Sequence, residues 1–143
     1  PWSKTTQIAN LINNNWVIIA NDISGSRIKA LKSNINSQWS LSACVSKLDW
    51  RDFWNYFYET FDKILLDAPC SAEWAMRKDK LDWSLDIIDK LSTLQMKMIL
   101  SALLSLKVWW ELVYSTCTMT PEEDELIVDF VLSNFWNSIQ IID

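Results

Sequence analysis

Glycine is almost missing from this chain. Its 143 residues include one, Gly25, where average usage of about 7% would give roughly 10. Histidine is absent altogether, which removes the commonest metal ligand and the commonest general base. No apolar run approaches the roughly 18 residues that cross a bilayer. The opening "PWSKTTQIAN" has no apolar stretch of the signal-peptide kind. A cytoplasmic chain without a membrane segment is therefore expected. Positive charge is also scarce: the net charge is −5, against the basic footprint usual for nucleic-acid binders. Cys44, Cys70 and Cys117 are odd in number and form no CxxC. Reduced thiols are the expectation, with neither a disulfide framework nor a metal site.

What remains is ample for a core. Half of the residues are hydrophobic and 22% are charged, so one folded domain over residues 1–143 is expected. Tryptophan is in excess, at 10 residues. "TTQIANLINNN" suits a helix, "VIIAND" (17–22) a short strand, and "SRIKALKSNI" a helix with Ile28, Leu31 and Ile35 on one face. "ACVSKLD" (43–49) and "FDKILLDAP" (61–69) read as strands, residues 92–106 as a helix, and "ELVYSTC" (111–117) as another strand. "TPEEDELIVDFVLSNF" opens with Thr120 as N-cap, Pro121 at the first helical position and Glu123 closing a capping box. Strands alternating with helices predict an α/β fold with a doubly wound, mostly parallel sheet.

Ligands bind beyond the carboxyl ends of strands in such sheets. Asp22, Asp49, Asp67, Cys70 and Cys117 all fall there. A single Asp at a strand end can equally be a helix N-cap, and a single Cys can be a small core residue. The grouping of five is what singles them out.

The tryptophans sit where chains turn. Trp16 and Trp39 lie between helices and strands, Trp50 follows a strand, and Trp109–Trp110 are placed at a helix-to-strand turn. Those are glycine sites. With glycine read at them, "PWSKTTQIA" becomes PGSKTTQIA, "LDWRDF" becomes LDGRDF, "DAPCSAEW" becomes DAPCSAEG, and "KVWWELVYSTCT" becomes KVGGELVYSTCT. This pattern resembles the Sun (NSUN-type) family of S-adenosylmethionine-dependent RNA cytosine-C5 methyltransferases, in the right order over nearly the whole chain. "DAPCS" paired with "YSTCT" is the specific part. Ala72 and Val108 depart from the family's usual Gly and Pro.

The resemblance implies a Rossmann-like methyltransferase fold and a set of roles. Cys117 would attack cytosine C6. Cys70 would assist release of the RNA, and Asp67 would hold the flipped base. Asp22 would bind the cofactor ribose and Asp49 would face the adenine. Asp67, Lys4 and the backbone of Pro1, Trp2 and Ser3 would line the methionine end. Arg27 would be structural, and Arg77, Lys78 and Asp79 would lie near RNA or brace a loop. Ribosomal RNA is the expected substrate ahead of transfer RNA, and a monomer without metal the expected state. The family's first motif begins upstream of Pro1, so a first central strand and an RNA-binding region are expected before it. Two other readings stand beside this one: a DNA cytosine-C5 enzyme using Cys70 as nucleophile, and a catalytically silent RNA- or nucleotide-binding module.

Residues 2, 16, 39, 50, 74, 109 and 110 fall on family glycines, and 54 and 136 fit the same pattern. Nine glycines there, with Gly25, make the ten expected. Trp83 is an ordinary tryptophan. The pattern points to UGA codons that encode glycine in the source lineage and were read as tryptophan.

Overall fold

A computed structural model describes residues 2–13, 15–71 and 85–142. Pro1, Trp74, Arg77, Lys78, Asp79 and Trp83 lie outside the described residues, as does Ala72, and of Trp2 and Ser3 only the helical backbone is described. The chain forms two compact units, Pro1–Asp52 and Phe53–Asp143. Each is an α/β assembly around a pair of parallel strands.

In the first unit, α1 (Trp2–Leu11) precedes β1 (Ile18–Asn21), α2 (Gly25–Ser37) and β2 (Ala43–Ser46). The strands pair in register from Ile18–Ala43 to Asn21–Ser46. Ile28, Leu31 and Ile35 form the buried stripe of α2, as their spacing requires. Leu31 and Ile35 pack with Ala20, Ala43 and Val45 into the core under the strands.

The end of α2 shows why local geometry matters here. Gln38 caps the helix. The Trp39 N–H then donates to Asn36 O at 3.2 Å and the Ser40 N–H to Ile35 O at 3.1 Å. This is a Schellman motif, and its left-handed residue is normally glycine. Here it is Trp39, with φ 52°. Gly25 itself does not have a positive φ. Trp16 is not the left-handed residue after α1; Asn13, with φ 47°, takes that place, as an Asn readily does.

A 3-10 turn, Trp50–Asn55, precedes the strands of the second unit. β3 (Phe61–Asp67), α3 (Leu85–Ser105) and β4 (Leu106–Ser115) follow. A second 3-10 turn, Pro121–Glu123, leads into α4 (Glu125–Phe135). Ile64 and Leu66 of β3, Ile99 and Ala102 of α3, and Ile127 and Val131 of α4 are buried. Phe53, Phe57 and Phe61 cluster with ring centroids 4.7 to 5.7 Å apart.

The helix-to-strand turn expected at Trp109–Trp110 is not a turn. β4 starts directly after α3, at Leu106, and the two tryptophans lie inside it. The step from Phe61 to Lys63 on β3 matches the step from Leu106 to Glu111 on β4. The intervening residues form a bulge that bends the strand. Trp109 carries the left-handed backbone, φ 71°, and Trp110 does not. Lys107–Asp62 (2.8 Å) and Lys63–Glu111 (2.6 Å) ion pairs flank the bulge.

Candidate active site

Two groups of residues form at strand ends, one in each unit. In the first unit, Asp22 directly follows β1 and Asp49 lies shortly beyond β2. Asp22 is half-buried and braces the start of α2. Its Oδ1 accepts from the Ser24 N–H at 2.7 Å, and its Oδ2 pairs with Arg27 Nε at 3.2 Å. Ser24, not Asp22, is the N-cap of that helix. Arg27 thus pairs with Asp22 across the first turn of α2.

Asp49 accepts from the Arg51 backbone N–H at 2.9 Å and from the Arg51 guanidinium. The side-chain bond from Arg51 holds the Asp49 carboxyl below its ordinary range. The turn leading to Asp49 is held by Asn21, a residue that no motif singles out. Asn21 Nδ2 donates to Leu48 O at 2.9 Å. Its Oδ1 accepts from Ser46 Oγ and from the Leu48 N–H, each at 2.9 Å.

A carboxylate offers about four lone-pair sites. Asp22 therefore retains acceptor capacity after its two contacts, as a ribose diol needs. These residues fit the adenosine part of S-adenosylmethionine by chemistry and by position beyond parallel strands. Lys4 lies in the first turn of α1, beside the backbone of Trp2 and Ser3.

The second unit brings the two cysteines together. Asp67 ends β3 and pairs in register with Ser115 at the end of β4. Beyond those ends, Cys70 Sγ lies 2.7 Å from Cys117 Sγ, and the Cys117 N–H donates to Cys70 Sγ at 3.2 Å. Cys117 is exposed and Cys70 partly so. Cys44 is exposed on β2, in the other unit.

Each cysteine is held by its neighbours in sequence. Ser71 Oγ and Thr118 Oγ1 are hydrogen-bonded at 2.9 Å, linking the residues that follow the two thiols. Thr116 Oγ1, just before Cys117, bonds Asp124. Tyr114 OH donates to Glu123 O at 2.8 Å. Burial, then the charges of Asp124, Glu123 and Cys70, push the Tyr114 hydroxyl's pKa upward, so the phenol stays a donor.

The capping box expected at Thr120 and Glu123 does not form. Thr120 makes no capping bond through its side chain, and its hydroxyl instead accepts from Thr118 at 3.0 Å. Glu123 is fully buried and turns towards the Cys70 loop. Long-range donors outcompete the local one, because Glu123 lies in a separate 3-10 turn before α4 begins.

Parallel strands with Asp22, Asp49 and Asp67 at or beyond the ends of β1, β2 and β3, and a thiol pair beyond β3 and β4, are consistent with the Rossmann-like methyltransferase fold of the solved structures this chain matches. Residues 1–141 match the 16S rRNA methyltransferase RsmB/F family, to which this chain belongs. It is 40% identical over 143 residues to the ribosomal RNA small subunit methyltransferase F of Shewanella oneidensis, covering 98% of this chain and 30% of that protein. The protein of the same name from Psychromonas ingrahamii is 43% identical over 146 residues, covering 100% and 30%. The chain thus spans about 30% of the length of the curated relatives it matches. Among solved structures, NSun6 from Pyrococcus horikoshii with SFG superposes with a TM-score of 0.83 at 36% identity, over 92% of this chain and 34% of that one. A methyltransferase homolog protein from the same organism gives 0.80 at 34% identity, over 92% and 41%.

Proposed function

We propose that the protein carrying this chain methylates C5 of a cytosine in RNA, with small-subunit ribosomal RNA as the substrate, in the cytoplasm. The observation that carries this reading is the thiol pair, Cys70 and Cys117, with Sγ atoms 2.7 Å apart beyond the ends of paired strands. Family membership and the names of the relatives support the RNA substrate. The neighbour solved with SFG, a cofactor analogue, supports S-adenosylmethionine. That cofactor, when bound, supplies an electrophilic sulfonium methyl.

Cytosine C5 is a weak nucleophile. The Cys117 thiolate forms an S–C6 bond, and the pair displaced from the C5–C6 double bond makes C5 enamine-like and nucleophilic. Asp67 holds the N3/N4 edge of the extruded base and carries the proton at N3. After methylation the Cys70 thiolate takes the C5 proton, the C–H electron pair restores the C5–C6 double bond, and the S–C6 bond breaks to return the Cys117 thiolate. Cys70, against Cys117, assists that elimination. Asp22 holds the ribose hydroxyls, Asp49 the adenine, and Asp67, Lys4 and the backbone of Pro1, Trp2 and Ser3 the methionine end.

The test separates the two thiols. Cys70→Ser is expected to accumulate a covalent protein–RNA adduct, visible as a shifted band on denaturing gels, and Cys117→Ser to give none. The reverse result would assign the attack to Cys70, as in DNA enzymes of related chemistry. Absence of methyl transfer to bulk RNA by the intact protein would leave the silent binding module.

Glycine at residues 2, 16, 39, 50, 54, 74, 109, 110 and 136 is part of the same proposal. The positive φ of Trp39 and Trp109 supports it at those two positions. UGG codons in the source gene would sink it.

A further inference from the structure

The buried carboxylate of Glu123 is not used by the chemistry above, yet it is bonded to the residue that follows Cys70. It is 0% exposed. It accepts from the Ser71 N–H at 3.0 Å (Oε2) and 3.3 Å (Oε1), and from Gln95 Nε2 at 2.9 Å. Gln95 lies on α3, is equally buried, and also donates to Pro69 O at 2.8 Å. Both residues flanking Cys70, Pro69 and Ser71, are therefore gripped by one Gln–Glu clasp. The orientation has a cost, since Gln95 Oε1 is left buried with no hydrogen-bond partner among the described residues. An amide accepts that cost only when its nitrogen is tightly committed elsewhere. On the other side, Glu123 O receives Tyr114 OH. The clasp thus joins the Cys70 loop, the Cys117 strand and α3.

We infer that Glu123 and Gln95 are positioning residues for product release: they set Cys70 against Cys117 and so act on the elimination step, through Cys70, without touching substrate. The inference rests on the reading of Cys117 as nucleophile and Cys70 as release residue. Formation of the adduct needs the Cys117 thiolate and Asp67, and not Cys70. Loosening the clasp moves the loop that carries Cys70 and leaves the first step intact.

The test uses Glu123→Gln and Gln95→Met in the intact protein. The first keeps one acceptor and size. The second removes both donated bonds at similar volume, and serves if the first does not fold. Single-turnover assays on RNA follow adduct appearance and decay separately. Adduct formation is expected at the wild-type rate and release about tenfold slower or more in either variant, since each weakens or removes at least one bond to the buried carboxylate. Combined with Cys70→Ser, neither is expected to slow release further, because both act through the same thiol. Equal slowing of formation and release, release at the wild-type rate, or full additivity with Cys70→Ser would overturn the inference. Should Cys70→Ser alone release RNA normally while Cys117→Ser forms no adduct, the role given to Cys70 fails first, and the clasp's role with it.

Discussion

Two adjacent tryptophans in β4 make opposite predictions when replaced by glycine. Trp109 has φ 71° and is 98% exposed. A left-handed backbone costs an L-residue roughly 1–2 kcal/mol, and glycine escapes that cost. Glycine loses more backbone freedom on folding, by roughly 0.5–1 kcal/mol. The indole touches almost nothing, so its removal forfeits negligible burial. The net expectation for Trp109→Gly is a gain of about 0.5–1 kcal/mol. For a chain of this size that raises the melting temperature by roughly 2–4 °C. Trp110 lacks the positive φ and is 41% exposed. Its replacement by glycine carries the entropy cost with no relief and loses partly buried ring area. Trp110→Gly is expected to destabilise by about 1–2 kcal/mol. Urea titrations at constant m-value, read by far-ultraviolet circular dichroism, measure both. A destabilised Trp109→Gly, or a Trp110→Gly that gains as much as its neighbour, would refute the reasoning from backbone geometry.

Removing the Tyr114 hydroxyl should cost about 1 kcal/mol at neutral pH, the worth of its bond to Glu123 O. Because folding raises the Tyr114 pKa, its stabilisation is complete below the unfolded value of about 10 and is lost as pH rises through the folded one. Melting curves of Tyr114→Phe should accordingly fall less steeply above about pH 10 than those of the parent; parallel alkaline limbs would contradict this. Asn21→Ala strips three hydrogen bonds from the Ser46–Leu48 turn and should cost about 1–3 kcal/mol. Hydrogen exchange at the Leu48 amide should accelerate in that variant, and unchanged protection would show that Asn21 does not hold the turn.

Much of this was legible in sequence because it is periodic or local. The stripe of Ile28, Leu31 and Ile35 fixed α2, and the apolar run before Asp67 fixed β3. The cysteines stood out by motif, and the structure places them in contact. What escaped depends on distant partners. Gln95 and Glu123 are 28 residues apart, and Glu123 meets Ser71 at a separation of 52, so a local capping rule assigned Glu123 to the wrong donor. Two unsuitable residues signal irregular backbone without saying which kind, so the bulge in β4 reads as a turn in the sequence. Asn21 gave no signal at all: its value lies in reaching both Ser46 and Leu48 across the strand pair.

The thiol contact has a practical consequence for anyone who handles the protein. With Sγ atoms 2.7 Å apart and Cys117 exposed, the pair is poised for oxidation. Hydrogen peroxide would turn one thiolate into a sulfenic acid with release of hydroxide. The other thiolate would then displace the second hydroxide and close a disulfide. Such a bond would silence attack and elimination together. Specific activity is therefore expected to track the reductant in the buffer, and to return in full when a dithiol is added to an air-aged sample.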